Sequence, residues 1–270
     1  MIKHMGSRYA VEQIAFFRNT FGILPNLLVL YFSTSWRTSG ANWKITRWKL
    51  GFGRGLILIC AQMTFYYAVV RMELATATTL AFAGPFFITI LSIPLLGHKV
   101  GPWRIFAVLL GFAGVVIVMR PGSEAFTRIA ILPIAAAFFY AFSSLSTRLF
   151  SEEVPTALIG IYASIGASTL AAGIVLFTGN WIALTSIYDW LWFIGMGTVG
   201  GCAVLCLITA YRMADPSSLS PFEYFGIPFS FFLGWVFFNE TPFDSLFPGV
   251  LFIVAGGLLV IWRERKVADS

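Results

Sequence analysis

The chain has 270 residues, is 58% hydrophobic and 17% aromatic, and carries charge on only 11% of its residues. A soluble domain carries charge on about a quarter of its residues, so this chain cannot cover a water-facing surface, and lipid must be its solvent. The net charge of +6 does not mark a nucleic-acid binder, because Lys and Arg fall in short joints between apolar runs rather than on one face.

A membrane-crossing helix needs about 20 apolar residues. On that rule the chain reads as nine spans: Val11–Phe32, Gly51–Val70, Leu74–Leu96, Ile105–Met119, Ile129–Phe150, Val154–Phe177, Trp190–Tyr211, Ser217–Phe238 and Leu246–Trp262. The expected fold class is therefore an all-α integral membrane protein with short connections. The segment before Val11 lacks an apolar run and is not expected to be a signal peptide.

Orientation follows from basic residues. One set of joints holds Arg37, Lys44, Arg47, Lys49, Arg54, Lys99, Arg104, Arg148, Arg212 and the tail's Arg263, Arg265 and Lys266. The opposite set holds Lys3, Arg8, Arg71, Arg120 and Arg128. The richer side is expected to be cytoplasmic, with the C-terminus there. Trp36, Trp43, Trp48, Trp103 and Trp262 mark that interface, and Trp181, Trp190 and Trp192 the other.

The two halves echo each other. Arg71-Met72 recurs at a helix end as Arg212-Met213, Gly111-Phe112-Ala113-Gly114 matches Ile253-Val254-Ala255-Gly256, and Leu96–Val100 matches Phe238–Pro242, all at nearly one shift. Five spans separate the copies, so the copies run in opposite directions, the inverted-repeat plan of many secondary transporters. The repeats are expected at 1–120 and 121–270. The first span of the second repeat has no counterpart, so a ten-helix plan lacking its first helix is expected, against an authentic nine-span alternative.

Glu223 sits roughly 10 Å into its span, where a carboxylate is expensive and a functional candidate by default. It can bind a coupling proton or a cationic group, or serve as a structural tie; its first-half counterpart is Phe82. Arg18 lies roughly 12 Å deep from the other side, as a substrate contact or a snorkelling side chain. Gln62 bonds either a substrate or another helix. Tyr66, Tyr140 and Tyr224 line a cavity or simply pack. Pro85, Pro221 and Pro228 break corresponding helices, the pattern of a transport site or gate. Ala163/Ala167/Ala171 and Gly111–Gly114 read as close-packing faces, as do Ser143, Ser144, Ser146 and Thr147. Cys60, Cys202 and Cys206 read as small packing residues. The two histidines, His4 and His98, are not placed for catalysis, and Gly51–Gly55 is no phosphate loop. Neither an enzyme, a metal nor a cofactor is expected.

In this arrangement the chain resembles the EamA branch of the drug/metabolite transporter superfamily. The resemblance rests on the Arg18-bearing first span, YYAVVRMELATATTLAFAGPFF, LLGHKVGPWR, GFAGVVIVMRPG, SLSPFEYFGIPFSFFLGWVFFNETP and the Gly-rich last span. His98 stands where the family's joint usually has glutamate, whereas the second half keeps Glu240. The resemblance implies two inverted five-helix repeats around a central cavity, alternating access, and an inner-membrane carrier of a small molecule, as a monomer or homodimer. Similar proteins carry amino-acid derivatives, S-adenosylmethionine, riboflavin or toxic amphiphiles. A non-transporting sensor or scaffold is the alternative.

Overall fold

In the computed structural model, residues 1–38, 40, 42–96, 102–119, 128–213, 226–240 and 247–268 are described. Among them the chain is helical, without strands. The helices in chain order are α1 (Ile2–Met5), α2 (Val11–Phe21), α3 (Ile23–Phe32), α4 (Thr34–Thr38), α5 (Trp48–Arg71), α6 (Leu74–Ala81) and α7 (Gly84–Leu96). They continue as α8 (Pro102–Met119), α9 (Ile131–Ser146), α10 (Thr156–Thr178), α11 (Ile187–Met213), α12 (Gly226–Phe238) and α13 (Gly249–Ala268). Among the described residues six stretches are long and apolar enough to cross a membrane: Val11–Phe32, Trp48–Arg71, Leu74–Leu95, Arg128–Leu149, Thr156–Thr178 and Ile187–Met213. Shorter apolar helices follow at Leu109–Val118, Phe229–Phe238 and Gly249–Leu259. Large apolar side chains such as Phe177, Leu176, Val199 and Phe237 point outward, which only a lipid solvent tolerates at this density. The protein is a multi-pass membrane protein.

Two of the expected spans are each two helices. Val11–Phe32 is interrupted at Gly22, and Leu74–Leu96 at Phe82–Ala83. Each break lies just ahead of a proline, Pro25 and Pro85, whose missing N–H removes an α-helical bond to the carbonyl four residues back. Side chains just after each proline bond back to carbonyls of their own helix. The Asn26 side-chain amide donates to the Gly22 carbonyl at 3.0 Å, and the Thr89 hydroxyl donates to the Pro85 carbonyl at 3.0 Å. Elsewhere the ends differ by a few residues from expectation, because the interfacial turns Trp48–Leu50 and Ile187–Asp189 are helical without being apolar throughout.

The chain divides into two compact units, each drawing on both halves of the sequence: Met1–Tyr66 with Ser146–Met213, and Tyr67–Leu145 with Ala214–Ser270. In the first, α2 and α3 pack on α10 and α11. Small residues set the close approach of α5 to α10. A Cβ on Gly55 would strike the Ala163 carbonyl and the Ala167 nitrogen, and one on Gly166 would lie 2.5 Å from the Phe52 carbonyl. Ala163, Ala167 and Ala171 are all buried. One end is filled by Leu30, Trp36, Ile45, Phe150, Leu158 and Ile159. The other is aromatic, with Phe17 4.7 Å from Phe193 and flanked by Trp181 and Trp190. Cys202 and Cys206 do not pack inside as expected; both face outward on α11.

In the second unit α8 lies along α13. A Cβ on Gly114 would stand 2.6 Å from the Gly249 carbonyl and 2.7 Å from the Ile253 nitrogen, and Gly111 receives the Phe86 ring. α12 packs on α6. It ends at Asn239, whose φ of 57° is the left-handed stop that asparagine tolerates. The next residue, Glu240, then accepts the Leu74 N–H at 2.8 Å, placing a carboxylate on the N-terminus of α6.

The α8–α13 contact is tight enough to be tested by one methyl group. Gly114→Ala should destabilise the detergent-solubilised protein by about 1–3 kcal/mol, because helix backbone must move. Gly173→Ala, where a Cβ meets open space, should be neutral or slightly stabilising in the same thermal melts.

Candidate functional site

α2 carries three polar residues in a row in its last turn, Arg18, Asn19 and Thr20, inside an apolar stretch that runs on to Phe32. Each is dealt with differently. The Thr20 hydroxyl turns back onto the Phe16 carbonyl at 2.8 Å, the usual way a helix hides a hydroxyl. Asn19 points at α5 and meets Gln62, both fully buried. The two amides bond reciprocally: Asn19 Nδ2 donates to Gln62 Oε1 at 2.6 Å, and Gln62 Nε2 donates to Asn19 Oδ1 at 3.2 Å. Asn19 Nδ2 also donates to the Ala15 carbonyl at 2.8 Å. An amide pair is the cheapest way to place polarity in an apolar unit, because neither partner carries net charge.

Arg18 is attached to this pair. Its Nη1 donates to Asn19 Oδ1 at 3.2 Å, and its Nη2 reaches the Gly200 carbonyl on α11 at 3.4 Å. The guanidinium therefore does not snorkel to a helix end; it lies against the middle of α11. Both acceptors are neutral, and among the described residues no carboxylate pairs with it. Tyr66, one turn beyond Gln62 on α5, is buried and close enough to feel the Arg18 charge. Arg18, Gln62 and Tyr66 thus come together in one unit, around an Asn19 that sequence reasoning did not single out. The polar run Arg18-Asn19-Thr20 was the available signal.

The other anticipated residues fall elsewhere. Pro85 is buried at the second position of α7, and Tyr140 is half-buried on α9; both belong to the second unit. Pro228 lies in the first turn of α12. Glu223, Tyr224 and Pro221 lie outside the described residues, as does His98. Ser143, Ser146 and Thr147 are buried and Ser144 half-buried, as packing residues would be. Among the described residues no group of His, Cys, Asp or Glu is placed to hold a metal ion.

A second polar set, also missed in the sequence, closes the α2 N-terminal end of the first unit. Glu12 accepts from Asn180 Nδ2 at 2.9 Å and from the Thr178 hydroxyl at 3.4 Å. Gln13 exchanges two bonds with the backbone of Ile182, at 2.7 and 3.0 Å. Asp189 accepts the Tyr9 hydroxyl at 2.7 Å and an Arg8 N–H at 3.2 Å. Burial first, and then the Asp189 carboxylate, raise the Tyr9 phenol above its ordinary value. At the opposite end Arg212 plays a similar part, donating to the carbonyls of Ser151, Glu152 and Val154 and to the Thr156 hydroxyl. It lines a cleft of about 700 Å³ with Ser33, Asn42 and Lys44. The spacing that matched Arg212 to Arg71 did not foretell this difference, since Arg71 is exposed and lies over the Tyr67 ring at 5.0 Å.

Comparison with known proteins points one way. The model of the EamA-like transporter family matches residues 1–120 and 127–262. An S-adenosylmethionine uptake transporter of Rickettsia bellii is 26% identical over 272 residues, covering 100% of this chain and 90% of the relative. A riboflavin transporter of Vibrio cholerae is 28% identical over 246 residues, covering 90% of this chain and 80% of the relative. A solved crystal structure with 19% identity superposes with a TM-score of 0.70, covering 98% of this chain and 92% of the other.

The end clasp can be dissected. Tyr9→Phe removes a buried bond to a carboxylate and should cost about 1.5–3 kcal/mol. Arg8→Ala should cost less than about 1 kcal/mol, because that side chain is 62% exposed. Thermal unfolding of the two variants in one detergent gives the order.

Proposed function

The chain belongs to the EamA-like transporter family, and on that premise we propose that it is a secondary active carrier of a small metabolite, working by alternating access in the inner membrane. The observation that supports this most directly is the Arg18–Asn19–Gln62 cluster. A structural helix tie in lipid needs one amide pair, and it has no use for a guanidinium lodged beside it with no counter-charge among the described residues. A carrier does, because its substrate supplies the missing partner for part of each cycle.

The remaining parts of this reading come from the sequence. Nine spans form two inverted repeats at 1–120 and 121–270, with the C-terminus cytoplasmic by the distribution of Lys and Arg. Pro85, Pro221 and Pro228 break corresponding helices and act as the gate. Glu223 binds a coupling proton or a cationic group of the substrate, and Tyr66, Tyr140 and Tyr224 offer aromatic faces. One base and one acid suit a zwitterion or a heteroaromatic metabolite. The relatives named for S-adenosylmethionine and riboflavin support that class. The carrier works as a monomer or homodimer, with no cofactor.

Flux of labelled S-adenosylmethionine and riboflavin into proteoliposomes, measured from pH 5 to 8 in steps, tests the reading. One of the two should accumulate, Arg18→Gln should slow it by roughly tenfold or more, and Glu223→Gln should flatten its pH dependence. Flux that keeps its pH profile in Glu223→Gln removes the proton from that residue. Absence of flux for these and related metabolites favours a sensor or scaffold on the same fold.

A further inference from the structure

Arginine has five N–H donors in a rigid fork, and in this structure two of its nitrogens are committed, Nη1 to Asn19 and Nη2 to Gly200. Two residues set that pose. Asn19 has every hydrogen-bonding position occupied: its Nδ2 donates to Ala15 and Gln62, and its Oδ1 accepts from Gln62 and Arg18. Its amide is therefore fixed in orientation, with the oxygen turned to the guanidinium. An aspartate could not replace it, since both donor bonds would be lost. Gly200 supplies the second half of the seat. A Cβ there would lie 2.9 Å from Arg18 Nε, 3.2 Å from Nη2 and 3.3 Å from Cζ. The guanidinium thus rests on bare backbone, in a place that any side chain would fill.

The neighbouring glycines of α11 serve the same junction. A Cβ on Gly197 would meet Phe21 Cβ, and one on Gly201 would lie 2.5 Å from the Gly22 carbonyl and 2.7 Å from Pro25 Cγ. Those contacts are with backbone, with a Cβ fixed to it or with a rigid ring, so Gly197 and Gly201 let the broken α2–α3 segment lie against α11. The contact at Gly200 is with the end of a flexible side chain. Filling it would move Arg18 and leave the helices in place.

Building on the carrier reading above, we propose that Asn19 and Gly200 are positioning residues that hold Arg18 on neutral acceptors, with no carboxylate paired to it among the described residues, and that this cation selects substrates bearing a carboxylate. Neutral acceptors on both nitrogens orient the fork without cancelling its charge, and a carboxylate is the group that matches the remaining donors in geometry and sign. The amide at position 19 matters for the same reason. A carboxylate there would pair with Arg18 permanently and compete with the ligand. The seat thus distinguishes an amino-acid derivative from its decarboxylated amine, which an apolar pocket could not do strongly.

The test uses the full chain in lipid nanodiscs and two readouts. The first is the rate at which phenylglyoxal modifies Arg18, followed by peptide mass spectrometry. The second is protection of Arg18 from that reagent by S-adenosylmethionine and by amino acids, each against its decarboxylated amine. In the unmodified sequence the carboxylate-bearing member of at least one pair should slow labelling by roughly tenfold, the scale of one charge-assisted hydrogen bond, and its amine should not. Asn19→Asp should slow labelling without any ligand, through the new ion pair, and abolish the carboxylate preference. Gly200→Ala should abolish the preference while keeping the thermal stability of Gly195→Ala, whose Cβ enters open space on the same helix. Labelling and protection unchanged in both variants would overturn the positioning roles. Equal protection by acids and amines, or none by any pair, would overturn the carboxylate assignment. A protein that shows the preference yet moves no metabolite refutes the carrier and leaves this inference standing; a carrier blind to the carboxylate does the reverse.

Discussion

Two amides facing each other in the interior of an apolar unit are the constraint around which the first unit is arranged. Asn19 and Gln62 cannot be exposed to lipid, where an unsatisfied amide costs several kcal/mol. They must therefore meet, and their meeting fixes how α2 turns toward α5. With α2 so turned, Phe17 and Ile14 fall into the core and Arg18 falls toward α11. The glycines of α11 follow from that. A guanidinium and a broken helix can approach the α11 backbone only where Cβ atoms are absent.

The ends of the unit are closed by a different economy. Glu12, Gln13, Asp189 and Arg212 bond to backbone, hydroxyl or amide groups at helix ends, where free N–H and C=O groups are otherwise unsatisfied. They are polar residues at the margins of the apolar layer, and their bonds serve the frame. The Arg18 cluster differs in kind. It lies well inside the Val11–Phe32 stretch and against the middle of α11, whereas Arg212, also held by neutral acceptors, closes a helix end. That contrast, rather than polarity as such, separates a functional candidate from a structural one. The second unit shows the structural pattern again, with Glu240 spent on the N-terminus of α6 and glycines spent on the α8–α13 contact.

Much of this frame was legible in the sequence. Apolar runs of membrane length located the helices, and the small residues Ala163, Ala167, Gly111 and Gly114 were rightly read as packing faces. Arg18 and Gln62 stood out because charge and amide are rare in such runs. Asn19 did not, since it was masked by its charged neighbour, and its importance depends on a partner on another helix, beyond Gln13 and Thr20 in sequence and invisible to spacing. Gly200 was hidden for the opposite reason. In an α11 containing Gly195, Gly197, Gly200 and Gly201, nothing local tells which glycine faces a helix and which faces lipid. The outward-facing Cys202 and Cys206 illustrate the same blindness, because an α11 that is apolar all round announces no buried side. The interruption at Gly22 has the same physical reason as the one ahead of Pro85, a proline within the span.

The account stands on the reciprocal amide bond, and a double-mutant cycle measures that bond without reference to any substrate. Thermal or denaturant unfolding in detergent would compare Asn19→Leu, Gln62→Leu and the double variant with the unmodified chain. Each single change strands a buried amide and should cost about 1–3 kcal/mol. The double change strands neither member of the pair and should cost clearly less than the two together, with a coupling of about 1–2 kcal/mol. Costs that add to within about 0.3–0.5 kcal/mol would mean that the two amides act independently, and would contradict the arrangement described.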